Sequence, residues 1–411
     1  MREDASPATL KHLPALDGLR GLAALSVMLH HFALDPAVSS PEALRLVRPF
    51  RLGWCGVDLF FVLSGFLITR ILLAARGRDG YYATFYKKRA LRIFPLYYAT
   101  LLGVIYVVPL VAQGTSAGVI GEHQGWLWLY LTNVGSVLRG TGAFTNAYAD
   151  VNHFWSLAIE EQFYLVWPLV VAALAPRALL RATGVGIVLG IATRLLILRG
   201  DVGSQALYVL TPCRLDGLLM GAALAVAMRE AASQRALREA APWAAALGAL
   251  GVAWIVSQHG PGFWTRPMMS LGYSLLALTF AGLLALVLTR PDSALSRALS
   301  ARALAFVGTY SYGLYVLHRV GVVRWIVPLE PLAFGRALLG PDAPLARAEP
   351  LGLAVFMLLS TAVSFVFAFL SYKLLEKPFL DLKDALGRDQ RAPAPAALRA
   401  PETPRRARRR R

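Results

Sequence analysis

Apolar runs close to or longer than the roughly 18 residues that cross a bilayer recur from residue 17 to residue 376, each bounded by clusters of Arg, Pro or Gly. Such runs predict membrane spans rather than buried core helices. Ten are placed, near residues 16–36, 53–75, 93–113, 154–175, 182–199, 208–228, 240–258, 268–290, 303–327 and 351–376. The aromatic stretch Trp126 to Tyr130 is too short to span and is expected to form an interfacial or re-entrant element. The first run, Leu16 to Phe32, holds Arg20, His30 and His31 and leads to no convincing small-residue cleavage site, so it reads as a retained helix. The predicted fold is all-α, a polytopic integral membrane bundle of about ten transmembrane helices.

Composition agrees with that pattern: 56% of the 411 residues are hydrophobic and only 16% charged, and the mean hydropathy is +0.52. Three regions follow, a leader (1–15), a transmembrane domain (16–379) and a basic tail (380–411) whose Ala/Pro-rich stretch is expected to be disordered. A net charge of +18 is of the size seen in nucleic-acid binders. Its distribution excludes that class, because the excess sits in the tail and in short loops, as expected of flanks beside anionic lipid. Arg76, Arg78, Lys87, Lys88, Arg89 and Arg92 mark the 76–92 loop as cytoplasmic, and the segments 176–181, 229–239 and 290–302 alternate correctly with it. An even number of spans in the inner membrane then puts both termini in the cytoplasm. Cys55 and Cys213 lack any ligand spacing, so no zinc site or disulfide framework is expected.

Ionisable groups inside a bilayer are costly, so each one in a span is a functional candidate set against simple helix pairing. Counted at 1.5 Å per residue, His31 lies about 24 Å from the start of the first span and Arg20 within about 8 Å. Their eleven-residue spacing leaves an angular offset of about 20°, so one helix face serves two depths. The same count puts Asp58, Glu160, Arg214, Asp216 and His318 at the level of His31. A phosphate-rich donor could meet Arg20, Arg89 and Arg92 at the inner surface, with its reactive end about 16 Å away at His31, the reach of a pantetheine arm. The plain alternative is a snorkelling Arg20 and a His31 that hydrogen-bonds another helix.

Transfer of an acyl group from a thioester to an alcohol needs a base for the hydroxyl proton, and imidazole suits neutral pH. A carboxylate, Asp58 or Glu160, is expected to hold the second ring nitrogen of His31. The alternative for the carboxylate is a helix-stabilising pair with Arg214. No G-x-S-x-G elbow, HExxH motif or P-loop occurs, so neither a serine acyl-enzyme nor a metal mechanism gains support. Ser64 and Ser156 read as packing residues. A transporter or flippase with an intramembrane polar pathway is the competing class. The chain shows no internal repeat or paired broken spans of the kind transporters use, and that reading leaves the inner arginines without a purpose.

Several motifs occur in order along the chain: Leu16-Asp17-Gly18-Leu19-Arg20-Gly21 followed by His31; Gly56-Val57-Asp58 running to Ser64-Gly65-Phe66; and Arg89 and Arg92 ahead of Pro95. They continue with Trp155-Ser156-Leu157 leading to Glu160 and Phe163-Tyr164, Arg214-Leu215-Asp216-Gly217, Ser311-Tyr312-Gly313-Leu314-Tyr315 leading to His318, and Glu376-Lys377-Pro378-Phe379. In this order and spacing the chain resembles the membrane-bound acyltransferase family 3 from Leu16 to Phe379. The resemblance implies a ten-helix bundle in which cytosolic acetyl-CoA donates to a glycan, glycolipid or small-molecule hydroxyl across the membrane. It implies functional positions at Arg20 and His31 of the first span and at Arg89 and Arg92. With the depth argument, the expected site has catalytic His31, Asp58 and Glu160, donor contacts at Arg20, Arg89 and Arg92, and a supporting polar layer of Arg214, Asp216, His318 and Tyr164. Longer family members carry an appended esterase-like domain. The short basic tail here implies direct handover from donor to acceptor.

Overall fold

The computed structural model describes residues 13–34, 40–111, 118–145, 149–200, 203–320 and 349–388. Among them, long helices occupy all ten expected positions: α1 (Pro14–Leu34), α2 (Gly56–Ala75), α3 (Tyr81–Leu102), α4 (Trp155–Ala173), α5 (Pro176–Ile197), α6 (Thr211–Ala227), α7 (Ala231–His259), α8 (Tyr273–Thr289), α9 (Arg302–Leu317) and α10 (Glu349–Ser371). Eight of these lie in helical segments long and apolar enough to cross a membrane. The other two are α1, whose hydropathy is lowered by its charged and histidine residues, and α9, which is only 16 residues long. No strand occurs among the described residues beyond an isolated bridge between Thr145 and Asp150. The polarity is inverted relative to a water-soluble fold. Trp243, Leu250 and Leu358 stand 72%, 67% and 69% exposed while the Arg194 and Arg214 side chains are fully buried, an arrangement that is stable where the outer solvent is lipid. The protein is a multi-pass helical membrane protein.

Apolar burial does not drive helices together in lipid, so close backbone approach has to. Glycines supply it at the central seams. A Cβ on Gly308 of α9 would lie 2.0 Å from the Asp17 carbonyl oxygen of α1, and one on Gly65 of α2 would lie 1.9 Å from that of Leu218 in α6. These contacts press α1 against α9 and α2 against α6, which puts the polar residues of all four helices in the interior.

Some boundaries differ from the sequence expectation. α3 starts at Tyr81, after Gly80 turns the chain at φ 68°, so most of the basic 76–92 segment is helix rather than loop. Arg89 and Arg92 are therefore one turn apart on a common face. The Trp126 region forms a one-turn helix, Gln124–Trp128, followed by a second short helix, Thr132–Arg139. Neither is long enough to span. After α10 a π-turn, Tyr372–Glu376, leads into α11 (Lys377–Arg388), which packs against α3. The helix thus continues into the first residues of the expected basic tail, whose Ala/Pro-rich stretch lies outside the described residues. Residues 1–12 of the leader, 389–411 of the tail and 321–348, which hold the end of the expected ninth span, lie outside the described residues.

Candidate active site

A cavity of about 550 Å³ runs between α1, α2, α3, α4 and α9. One end opens beside Arg78 and Asp79, both exposed. Arg20, Lys88, Arg89 and Arg92 line it further in, and its far end is closed by buried Ser156 and Tyr315. Apolar side chains of α2, among them Val57, Phe60 and Leu67, form one wall. Glu160 and Tyr164, one turn apart on α4, line it beside that wall. The Glu160 carboxylate accepts hydrogen bonds from Ser64 Oγ at 2.6 Å and from the Tyr164 hydroxyl at 3.0 Å. The Arg89 guanidinium lies over the Tyr164 ring, 4.6 Å from its centroid. Arg20, Arg89, Arg92, Glu160 and Tyr164 thus share one cavity.

Beyond its closed end lies a cluster of histidines. His31 Nδ1 is 2.8 Å from His318 Nε2, and the His153 ring sits 4.8 Å from that of His318 and 6.3 Å from that of His31. His318 Nδ1 lies 2.8 Å from the Tyr315 carbonyl oxygen. A carbonyl only accepts, so His318 carries its proton on Nδ1 and offers Nε2 as an acceptor. His31 must then donate from its own Nδ1, which leaves His31 Nε2 unprotonated. A chain of two hydrogen bonds anchored on backbone thus fixes His31 in the tautomer of a base. His30 is held apart from this chain, its Nδ1 at 2.9 Å from the Phe50 carbonyl oxygen.

Tyr315 joins the two compartments. Its side chain lines the cavity end and meets Ser156 Oγ, its hydroxyl donates to the His153 carbonyl at 3.0 Å, and its own carbonyl also accepts from His153 Nε2 at 3.0 Å. Close by, Arg319 pairs with Asp150 at 2.7 Å.

The carboxylates expected to orient His31 do other work. Asp58 Oδ1 accepts from Arg214 Nη2 at 2.7 Å, with both side chains almost completely buried. The Arg214 guanidinium also lies 3.9 Å from the Tyr273 ring centroid, a desolvated cation–π contact. Asp216 pairs with Arg194 at 3.0 Å and accepts from Ser274 at 2.7 Å. These two pairs tie α2, α5, α6 and α8 together, which is the helix-pairing alternative for Asp58. Glu160 is about 10 Å further along the α4 direction than His153, so it belongs to the level of Arg20 and not to that of His31.

The structure therefore brings His31 together with His318, and Arg20 with Arg89, Arg92, Glu160 and Tyr164. It does not bring Asp58, Asp216, Arg214 or Glu160 to His31. Sequence reasoning missed His153 and Arg194 and gave Tyr315, quoted only within its motif, no role. His153 sits in a 3₁₀ turn just ahead of α4, two residues before the Trp155-Ser156-Leu157 motif, where its adjacency to a motif was the available signal. Arg194 is an arginine inside an apolar span, itself a signal.

The acyltransferase domain family matches residues 13–370 of the chain. The chain is 30% identical over 381 residues to the putative peptidoglycan O-acetyltransferase YrhL of Bacillus subtilis, covering 90% of this chain and 55% of that protein. It is 27% identical over 392 residues to the peptidoglycan O-acetyltransferase OatA of Listeria monocytogenes, with 90% and 56% covered. Identity to the O-acetyltransferase OatA of Staphylococcus aureus is 27% over 324 residues, with 75% and 50% covered. The chain spans about half the length of the curated relatives it matches. No solved structure matches it.

Proposed function

We infer the activity from family and site together: the chain belongs to the acyltransferase domain family and is a membrane acyltransferase, and we propose that it moves an acetyl group from acetyl-CoA to a hydroxyl of an extracytoplasmic glycan. The similarity to peptidoglycan O-acetyltransferases supports a glycan acceptor. One observation carries the reading of the donor. A single cavity begins among Arg78, Lys88, Arg89 and Arg92 and ends at Ser156 and Tyr315, against the histidine cluster. Phosphates suit the arginine end through charge-assisted hydrogen bonds, and a pantetheine arm suits the largely apolar remainder.

In this reading the Tyr315 side chain swings away from Ser156 to admit the thioester. His31 Nε2 then takes the proton of the acceptor hydroxyl, and that oxygen attacks the thioester carbonyl carbon. The carbon–sulfur bond breaks, and the departing thiolate recovers the proton from the His31 imidazolium. His318 takes the orienting role expected of a carboxylate. The acyl donor enters from the 76–92 side, read as the cytosol, and the acceptor reaches the opposite side. In cells lacking the gene, ester-linked acetate released from peptidoglycan by mild base is expected to fall and to return with the wild-type chain. Unchanged acetate would exclude peptidoglycan as the acceptor.

Two further outcomes follow. Arg89→Ala and Arg92→Ala are each expected to weaken acetyl-CoA binding by about 1.5–3 kcal/mol, the size of a hydrogen bond to a charged group, with a smaller effect on kcat. Steady-state kinetics over donor concentration separates the two parameters, and lost kcat at unchanged donor affinity would assign these arginines to folding. For topology, Arg78→Cys in a Cys55→Ala/Cys213→Ala background is expected to resist a membrane-impermeant thiol reagent in intact cells and to react after permeabilisation. Labelling in intact cells would reverse the orientation.

A further inference from the structure

The helix that follows the last span brings another cation to the donor cavity. α11 lies against α3, and Lys383 lines the cavity together with Lys88, Arg89 and Arg92. Its position is outside the region matched by the family, which ends at residue 370. The Lys383 side chain is 24% exposed, and the carboxylate nearest to it, Asp384 at 3.6 Å, is 64% exposed, so that pair is loose and solvent-screened.

The charges around the cavity do not balance. Arg20, Arg78, Lys88, Arg89, Arg92 and Lys383 line it against Asp79, Glu160 and Glu161, six basic side chains against three acidic ones, with Asp17 facing Arg20 from outside the lining. Glu160 is held by Ser64 and Tyr164, and the nearby Glu376, which faces Arg92 and Arg20 from outside the lining, accepts from Ser371 at 3.2 Å. Like charges gathered in a partly desolvated cleft repel, and only a multiply charged anion relieves that repulsion at several of them together. A nucleotide carrying a diphosphate and a further phosphate has that chemistry, whereas a single carboxylate does not.

We propose that Lys383 is a donor-binding residue whose ammonium pairs with a phosphate of the nucleotide part of the acyl donor, so that the donor site extends beyond the spans onto α11. This rests on the reading of the donor as a coenzyme-A thioester. Lysine acts here as a point charge, without the fixed fork of Arg89 and Arg92. Its role is affinity for the nucleotide, and it takes no part in the chemistry at the thioester.

The test is binding of coenzyme A and of pantetheine, which lacks the nucleotide phosphates, to the purified full-length protein in detergent by titration calorimetry. Lys383→Ala is expected to raise the Kd for coenzyme A about tenfold, and Lys383→Glu further. Lys383→Arg is expected to restore it to within about twofold, and pantetheine binding is expected to stay unchanged throughout. Asp381→Asn, 65% exposed on the same helix, is expected to bind coenzyme A as the wild type does. Equal coenzyme-A affinity in the wild type and Lys383→Ala would overturn the proposal while leaving the donor reading intact. Parallel loss of both ligands would assign Lys383 to the shape of the cavity and overturn it too. A wild-type protein that binds no coenzyme A would remove the donor reading and this inference with it.

Discussion

Replacing His31 with alanine is expected to lower acyl transfer by about 10²–10⁴-fold, the usual consequence of removing a positioned general base, while the protein stays folded and inserted. The hydrogen bond lost to His318 is a single interhelical contact, which in a membrane costs about 0.6–2 kcal/mol and leaves the bundle standing. His30→Ala provides the comparison. Its ring points about 100° away on the same helix and bonds the Phe50 carbonyl instead of the histidine chain, so its effect is expected to be much smaller at equal yield. His318→Ala tests the tautomer argument. It removes the acceptor that holds the His31 proton on Nδ1, so kcat should fall with little change in donor affinity. Near wild-type transfer by the His31 variant would sink the proposed chemistry, and equal loss in the His30 and His31 variants would point to a structural role for both.

Asp58→Ala is expected to act on stability first. It leaves the Arg214 guanidinium buried without its counter-charge, and removing one partner of a buried ion pair typically costs about 3–5 kcal/mol. Thermal unfolding in detergent should show a strongly lowered midpoint and a reduced yield of inserted protein. The double variant Asp58→Ala/Arg214→Leu removes both charges and is expected to lose less than the sum of the two single variants, because the uncompensated charge is gone. If Asp58 instead oriented His31, Asp58→Ala would lose activity at wild-type stability and the double variant would recover nothing. The 2.7 Å contact to Arg214 and the Tyr273 ring against its guanidinium argue for the stability outcome.

Helix positions were legible in the sequence because a span is a local property. An apolar run of sufficient length must bury its own backbone hydrogen bonds in lipid wherever it sits in the bundle. For the same reason the shared face of Arg20 and His31 could be read directly, since their angular offset depends only on helix geometry within α1. The three-residue spacing of Arg89 and Arg92 was likewise visible, and only the start of the helix at Tyr81 was not, because the basic residues Lys87, Lys88, Arg89 and Arg92 interrupt the apolar run that marks a span.

Partner choice among the buried polar groups was decided by tertiary structure. Residue counts placed Asp58, Glu160, Arg214, Asp216 and His318 in one layer with His31, but depth alone does not say which helices touch. Close glycine contacts pack α2 on α6 and α1 on α9, so Asp58 meets Arg214 and His31 meets His318. A buried charge takes the nearest opposite charge its packing allows, and the helices that supply it are far apart in sequence. Glu160 was displaced by a different cause. α4 begins after a 3₁₀ turn that itself occupies the histidine level, so counting from the expected span end put the carboxylate too close to His31. Length, apolarity and helix phase were therefore set by the chain locally, whereas the tautomer of His31, the wall at Tyr315 and the charge balance of the cavity come into being only when α1, α3, α4, α9 and α11 are packed together.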